Sequence, residues 1–466
     1  MFSAQFAPIA VGTAPSLRWA LISLAMSMLL SSLGTSIANV GLPTLEGAFD
    51  ASFQDVQWIV LAYLLAITTL SVGAGKLGDI VGRRRLLLAG LALFTTASAV
   101  CALAPSLWVL IAARTVQGIG AATMMALSMA LVGASVAKEK TGSAMGLLAT
   151  MSAIGTALGP SLGGILIAVF GWQALFFINA PLGLATWILA YRALPIDAAS
   201  PAERTGFDVV GTGVLALTLA AYALSMTLGR GQFGALNWSL LGVAAIGVGL
   251  FAWIESRVSA PLIRMAMLRD RALNAGLTTS LAVASVMMAT LVVGPFYLAR
   301  ALGLDAVSVG LFMAVGPVVV ALSGVPAGYV VDRFGAPIVT ALGLTAVGAG
   351  CTLLAALPTN AGVIGYTGAM VVLTAGYALF QTANNTGVMI GVSQEQRGLV
   401  SGLLSLSRNL GLVTGASVMG AVFAASSADG DVAIGMRTTF GIGAVLSILA
   451  IVIARLGRKP HASASF

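Results

Sequence analysis

Apolar runs of about twenty residues or more recur along the whole chain, broken by short polar connections. Each reaches the roughly 20 residues a helix needs to cross the hydrocarbon core of a bilayer. Fourteen spans can be drawn, at about 18–42, 56–77, 84–103, 107–133, 141–169, 174–194, 208–229, 237–255, 272–299, 306–329, 336–357, 362–389, 399–425 and 433–455. The period-two alternation of an outer-membrane barrel is missing, so the pattern predicts an all-α integral membrane protein. The first span is too long for the apolar region of a signal peptide and reads as a retained helix. The longest break runs through Pro195, Asp197, Pro201, Glu203 and Arg204, and reads as a linker.

Composition and charge sharpen this reading. Hydrophobic residues make up 59% of the chain and charged residues 8%, against about a quarter charged in a soluble domain. With the N-terminus in the cytoplasm, eighteen of the 23 lysines and arginines fall on the inner side, and only Arg230, Arg300 and Arg437 on the outer side. Arg114 and Arg408 fall inside spans. Basic residues collect on the cytoplasmic side of membrane proteins, so both termini are expected there. The net charge of +8 then reports topology, not a nucleic-acid partner. Cys101 and Cys351 lie within spans and offer neither a disulfide framework nor metal spacing. The one histidine, His461, is in the tail. With its one histidine in the tail, no embedded acid and no Walker sequence, the pattern argues against a membrane enzyme or an ATP-driven pump. No cofactor, metal or obligate protein partner is expected; the partners are the bilayer and a small molecule.

One short pattern occurs twice. Gly75-Lys-Leu-Gly-Asp-Ile-Val-Gly-Arg-Arg-Arg85 follows the second span, as a charged connection of about ten residues. Its spacing Gly75, Asp79, Gly82 returns as Gly328, Asp332, Gly335 after the tenth span. Both copies face the cytoplasm, which predicts two parallel six-span repeats about an axis along the membrane normal. The expected division is an N-terminal half at 1–194, a linker at 195–207, an inserted pair (spans 7 and 8) at 208–271, and a C-terminal half at 272–466.

Several further stretches belong with this one. They are Arg114-Thr-Val-Gln117-Gly118-Ile-Gly120 on span 4, Gly155-Thr-Ala-Leu-Gly159-Pro160-Ser-Leu-Gly163-Gly164 on span 5, and Gly171-Trp-Gln-Ala-Leu-Phe-Phe-Ile-Asn179-Ala-Pro181 entering span 6. Phe207-Asp208 opens span 7, and Glu255 through Pro261-Leu262 closes span 8. Together with Gly75 to Arg85 they resemble the motifs of the major facilitator superfamily, in its fourteen-spanner drug:proton antiporter branch, and the resemblance covers almost the whole chain. It implies a secondary transporter of a bacterial inner membrane, working by alternating access and expelling drugs or other small organic molecules in exchange for protons.

Residues of the path can be nominated. Asp79, with Gly75, Gly82 and Arg83, is placed to accept hydrogen bonds at the positive end of a helix from the other half, and Asp332 likewise. The alternative is a solvated loop that sets topology. Gly155, Gly159 and Gly163 share one helix face and allow a partner helix to approach, while Pro160 permits a bend; the resemblance adds that this face controls leak and antiport. An arginine inside a span is costly and marks a partner or a cavity. Arg114, with Gln117, therefore reads as a coupling or anion-binding group, or as a structural residue. Arg408 reads as the same or as a snorkelling side chain. Ser36, Asn39, Trp58, Tyr63, Tyr377, Phe380, Gln381, Asn384 and Asn385 form polar and aromatic clusters that suit either a substrate cavity or interhelical hydrogen bonds. One departure stands out. Where drug antiporters carry a first-span acid this chain has Gly34, and all 15 carboxylates fall in loops or at span ends.

Overall fold

The computed structural model describes residues 14–135, 138–195, 209–228, 234–258, 270–390, 397–427 and 430–457. Among them are fourteen helices long and apolar enough to cross a membrane, and no strand. In chain order they are α1 (Ala14–Val40), α2 (Phe53–Val81), α3 (Arg83–Ala102), α4 (Leu107–Ser135), α5 (Lys138–Phe170), α6 (Asn179–Ala193) and α7 (Val209–Thr227). Then come α8 (Ala235–Glu255), α9 (Arg271–Phe296), α10 (Ala306–Phe334), α11 (Ala336–Ala355), α12 (Gly362–Ile390), α13 (Arg397–Thr414) and α14 (Val432–Leu456). A π turn, Tyr297–Ala301, extends α9, and another, Gly415–Met419, joins α13 to a last segment, Gly420–Ser426. The helices coincide with the fourteen expected spans. The expected linker lies outside the described residues except for Pro195.

The charged connection after α2 is shorter than its composition suggests. Helix α2 runs to Val81 and α3 begins at Arg83, so only Gly82 lies between them. Nothing before Gly82 breaks a helix, and Gly82 takes φ +106, a conformation that side chains rarely adopt. The second copy behaves the same way. Gly335, at φ +81, is the single residue between α10 and α11.

Acids at the span ends have a local task. Asp55 and Ser52 form a capping box at the start of α2. Asp270, Asp305 and Asp431 cap α9, α10 and α14 by accepting from backbone N–H groups. Each sits where the helix dipole favours a negative charge.

Small residues set the packing. On α5, a β-carbon at Gly155 would strike the Leu29 carbonyl of α1, one at Gly159 the Ser36 hydroxyl, and one at Gly163 the Val40 side chain. The same contact recurs eight helices later, where Gly411 and Gly415 of the α13 segment lie on the Leu281 and Ser285 carbonyls of α9. Glycine removes the Cβ and lets helix backbones meet closely, which replaces hydrophobic burial as the force between helices in lipid. Helix α5 continues through Pro160 without a break.

Helix α7 packs across the line where α2 meets α13. Trp58 Nε1 of α2 donates to Thr227 Oγ1 (3.1 Å), and Tyr222 Oη donates to Thr414 Oγ1 of α13 (3.3 Å). Leu215 and Leu219 of α7 share an apolar cluster with Leu403 and Leu404 of α13 and Leu273 of α9. Helix α8 packs on α7, with Gly247 against Thr218, and is otherwise mostly exposed.

Candidate functional site

The densest polar network lies inside α1–α4. Arg114 is fully buried. Its Nε donates to the Ile59 carbonyl of α2 (2.9 Å) and its Nη1 to Gln117 Oε1 (2.6 Å). Gln117 Nε2 donates in turn to Ser98 Oγ of α3 (2.7 Å). The guanidinium lies over the Tyr63 ring, 4.0 Å from its centroid, and Tyr63 Oη donates to the Ser31 carbonyl of α1 (2.8 Å). The charge is thus held by a carbonyl, an amide and an aromatic face. Through Gln117 and Tyr63 the network around this side chain ties four helices together, and the guanidinium, its Nη2 without a partner, is enclosed by protein.

Gly34 explains itself beside this network. A β-carbon there would lie 2.9 Å from Tyr63 Oη and 3.3 Å from the Phe94 ring. The space that a first-span acid needs is filled by the tyrosine that stacks on Arg114.

A second cluster joins α1–α6 to α9–α14 at the ends that the arginine distribution assigns to the outer side. Glu46, in the short helix Leu42–Ala48, pairs with Arg300 of the α9 π turn at 2.7 Å. Gln57 Nε2 donates to the Ala416 carbonyl, inside the π segment that follows α13. A π turn spoils the regular ladder and leaves carbonyls open to outside donors. Phe53 packs on Phe296 and Phe423, with ring centroids 4.8 and 5.2 Å away. Gly164 of α5 lies against Gly310 of α10, backbone to backbone. Above this closure is a cavity of about 790 Å³ lined by Phe53, Gln54, Arg300, Asp431 and Arg437, among others. It is an outer vestibule rather than the centre of a path.

The nominated residues separate into distinct environments. Ser36 donates to the Gly155 carbonyl and seals α1 against α5. Asn39 donates to the Thr35 carbonyl of its own helix. Trp58 faces α7, and Tyr63 belongs to the Arg114 network. Phe380 is buried where α12 meets α11, with its backbone against Gly343. Asn384 donates to the Gly276 carbonyl of α9 (3.1 Å), and Asn385 is exposed. Tyr377, Gln381 and Arg408 are half-buried in the cytoplasmic half of α12 and α13. At the cytoplasmic ends, Arg83 Nη1 donates to the Ala130 carbonyl of α4 (3.3 Å), and Asp332 is exposed. The side chain of Asp79 lies outside the described residues. Gly75 has open space where a β-carbon would stand. The outer closure was not among the nominated sites; Glu46 and Arg300 are separated by 254 residues, and no local pattern links them.

Residues 24–416 match the sequence profile of the Major Facilitator Superfamily. The chain is 32% identical over 408 residues to a protein of Escherichia coli K12 called the uncharacterized transporter YebQ, covering 87% of this chain and 89% of that one. It is 31% identical over 409 residues to the multidrug resistance protein Stp of Mycobacterium tuberculosis, covering 87% and 75%. It is 28% identical over 410 residues to the riboflavin transporter RibZ of Clostridioides difficile, covering 88% and 89%. A bacterial homolog of the human lysosomal transporter Spinster, solved in an inward-facing unoccupied conformation, shares the fold with a TM-score of 0.70 and 14% identity over 96% of this chain and 98% of that one. The chain belongs to the Major Facilitator Superfamily and is a multi-pass membrane transporter of small molecules.

Proposed function

We propose that the protein is a proton-coupled exporter of drugs or related small organic molecules in a bacterial inner membrane. The two six-helix sets, 1–194 and 272–466, rock against each other about a central path. The observation that carries this reading is the outer closure. Glu46–Arg300, Gln57–Ala416, the three phenylalanines and Gly164–Gly310 all join one set to the other near the same face. Such contacts are what a carrier must break to open outward. The nature of the relatives adds support, since Stp is called a multidrug resistance protein and another relative, of Streptomyces glaucescens, a tetracenomycin C resistance and export protein. Arg114, enclosed on all sides, suits coupling between helices better than contact with substrate. Asp79 and Asp332 are proposed to close the cytoplasmic side in the opposite state.

The test is purified protein in liposomes with a trapped pH-sensitive dye and a panel of cationic, neutral and anionic compounds, riboflavin among them. Compound-dependent proton flux is expected, lost in Arg114→Ala and slowed in Asp79→Asn. Compound movement indifferent to an imposed pH gradient overturns the proton coupling. A panel of which no member moves overturns the exporter reading. Export of an anionic or neutral metabolite is the second reading, favoured by the lack of any mid-span carboxylate in the sequence.

A further inference from the structure

Two arginines lie within the spans, and the structure treats them differently. Arg114 is sealed among four helices. Arg408 is half-buried, and its Nε is shielded from solvent with no hydrogen-bond partner among the described residues. The helix face decides where it points. Ser407, one residue earlier, donates to the Leu277 carbonyl of α9 (2.5 Å), and Gly411 and Gly415 continue that α9-facing stripe. Leu403, Leu406 and Leu410 belong to the cluster shared with α7. Arg408 borders these stripes, with Leu404 of the cluster at i−4 and Gly411 of the α9 contact at i+3. It shares a half-buried face with Ser405 and Leu412, at i−3 and i+4. Helix α12 touches α13, and it carries half-buried Tyr377 and, one turn on along the same face, half-buried Gln381.

We propose that Arg408 is the charge by which the path selects its cargo, taking compounds that carry a carboxylate or similar single acidic oxygen group on an apolar or aromatic body, with Tyr377 and Gln381 as neighbouring hydrogen-bond donors. A guanidinium in hydrocarbon needs an anion, a carbonyl or water to offset its desolvation. Arg114 has a carbonyl and an amide for its Nε and Nη1, and its unpartnered Nη2 is enclosed by protein; the Arg408 Nε has no partner among the described residues, on a side chain that is only half-buried. No carboxylate of the chain lies mid-span, so a cationic compound finds no counter-charge in the membrane while an anionic one does. The planar fork of arginine accepts a carboxylate with two parallel hydrogen bonds, and leaves the rest of the ligand to lie along Leu412 and the Tyr377 ring.

This inference rests on the transport reading, and the experiment separates the two. The probes are 2-naphthoate and 1-pyrenebutyrate, each beside its neutral carboxamide, titrated into the purified full-length protein in detergent by calorimetry. Each acid is expected to bind roughly tenfold or more tightly than its amide, the size of a charge-assisted contact. Arg408→Gln should bring the ratio near one, and Arg408→Lys should keep part of it. An acid-to-amide ratio near one in the unaltered protein, or a ratio unchanged in Arg408→Gln, overturns the proposal. A measurement on the unaltered chain covers the case in which Arg408→Gln does not fold. The acids but not the amides should protect Arg408 from phenylglyoxal, read by mass spectrometry of its peptide; equal protection, or none, overturns the proposal. If cationic and neutral compounds are exported in liposomes without any preference for acids, the transport reading stands and this one alone falls.

Discussion

At the scale of residues, Arg114 shows how a charge is kept inside a membrane protein without an ion pair. Its Nε and Nη1 have short acceptors in Ile59 and Gln117, and the Tyr63 face lies against the guanidinium. Replacing Gln117 by leucine removes the Nη1 acceptor and leaves Ser98 Oγ only its bond to the Phe94 carbonyl. The expected cost is about 1.5–3 kcal/mol, the worth of a hydrogen bond to a charged group, read as a lower melting temperature in detergent. A melting temperature unchanged in Gln117→Leu would show that the network is not what holds Arg114. The pair of Arg114 with Gln117 was legible in the sequence, because residues at i and i+3 share a helix face. The rest was not. Ile59 acts through its backbone, which any residue supplies, and Tyr63 reads equally well as a cavity residue until its ring is seen over the arginine. Gly34 reads as a missing acid until Tyr63 and Phe94 are seen in its space.

At the scale of elements, the helices follow from hydropathy almost without remainder, since a span has few ways to satisfy its backbone other than as a helix. The connections are less legible. The charged stretch from Gly75 to Arg85 reads as a loop by composition, yet all of it but Gly82 is helix, because charge alone does not break a helix and only Gly82 takes a conformation that does. Span-end acids are similarly ambiguous. Asp305 has the position of a proton carrier, but its carboxylate caps α10, and the side-chain and backbone hydrogen bonds from Ser308 hold its pKa below the usual carboxylate value. A lowered pKa means that its contribution is present at neutral pH and is lost as the pH falls through that lowered value. Asparagine caps a helix about as well as aspartate. Asp305→Asn is therefore expected to keep both folding and compound-driven proton flux. Loss of proton flux in a well-folded Asp305→Asn protein would return the residue to the coupling machinery.

At the scale of the whole molecule, the outer closure is a set of modest contacts between distant parts of the chain. The side chain of Arg300 is 49% exposed and that of Glu46 16%, so the pair contributes roughly 0–1 kcal/mol. Removing it by Glu46→Gln should raise the outward-open fraction by about fivefold at most, read as faster labelling of cysteines placed beneath Phe53. A shift of a hundredfold would mean that the phenylalanines and Gln57 add little. This modesty fits a carrier, whose two states must lie close in free energy to exchange during turnover.

Helix α7 imposes an asymmetry on that exchange. The two six-helix sets meet along two flanks, α2 with α13 and α5 with α10. Trp58–Thr227 and Tyr222–Thr414 fasten α7 over the first flank, and α8 lies behind it. Ile165, Val169, Leu311 and Val318 leave the second open to the surroundings. A lipophilic molecule dissolved in the bilayer therefore meets a wall on one side of the protein and a bare seam on the other. Among the described residues, sideways traffic between membrane and path would find its way at the second flank and not at the first.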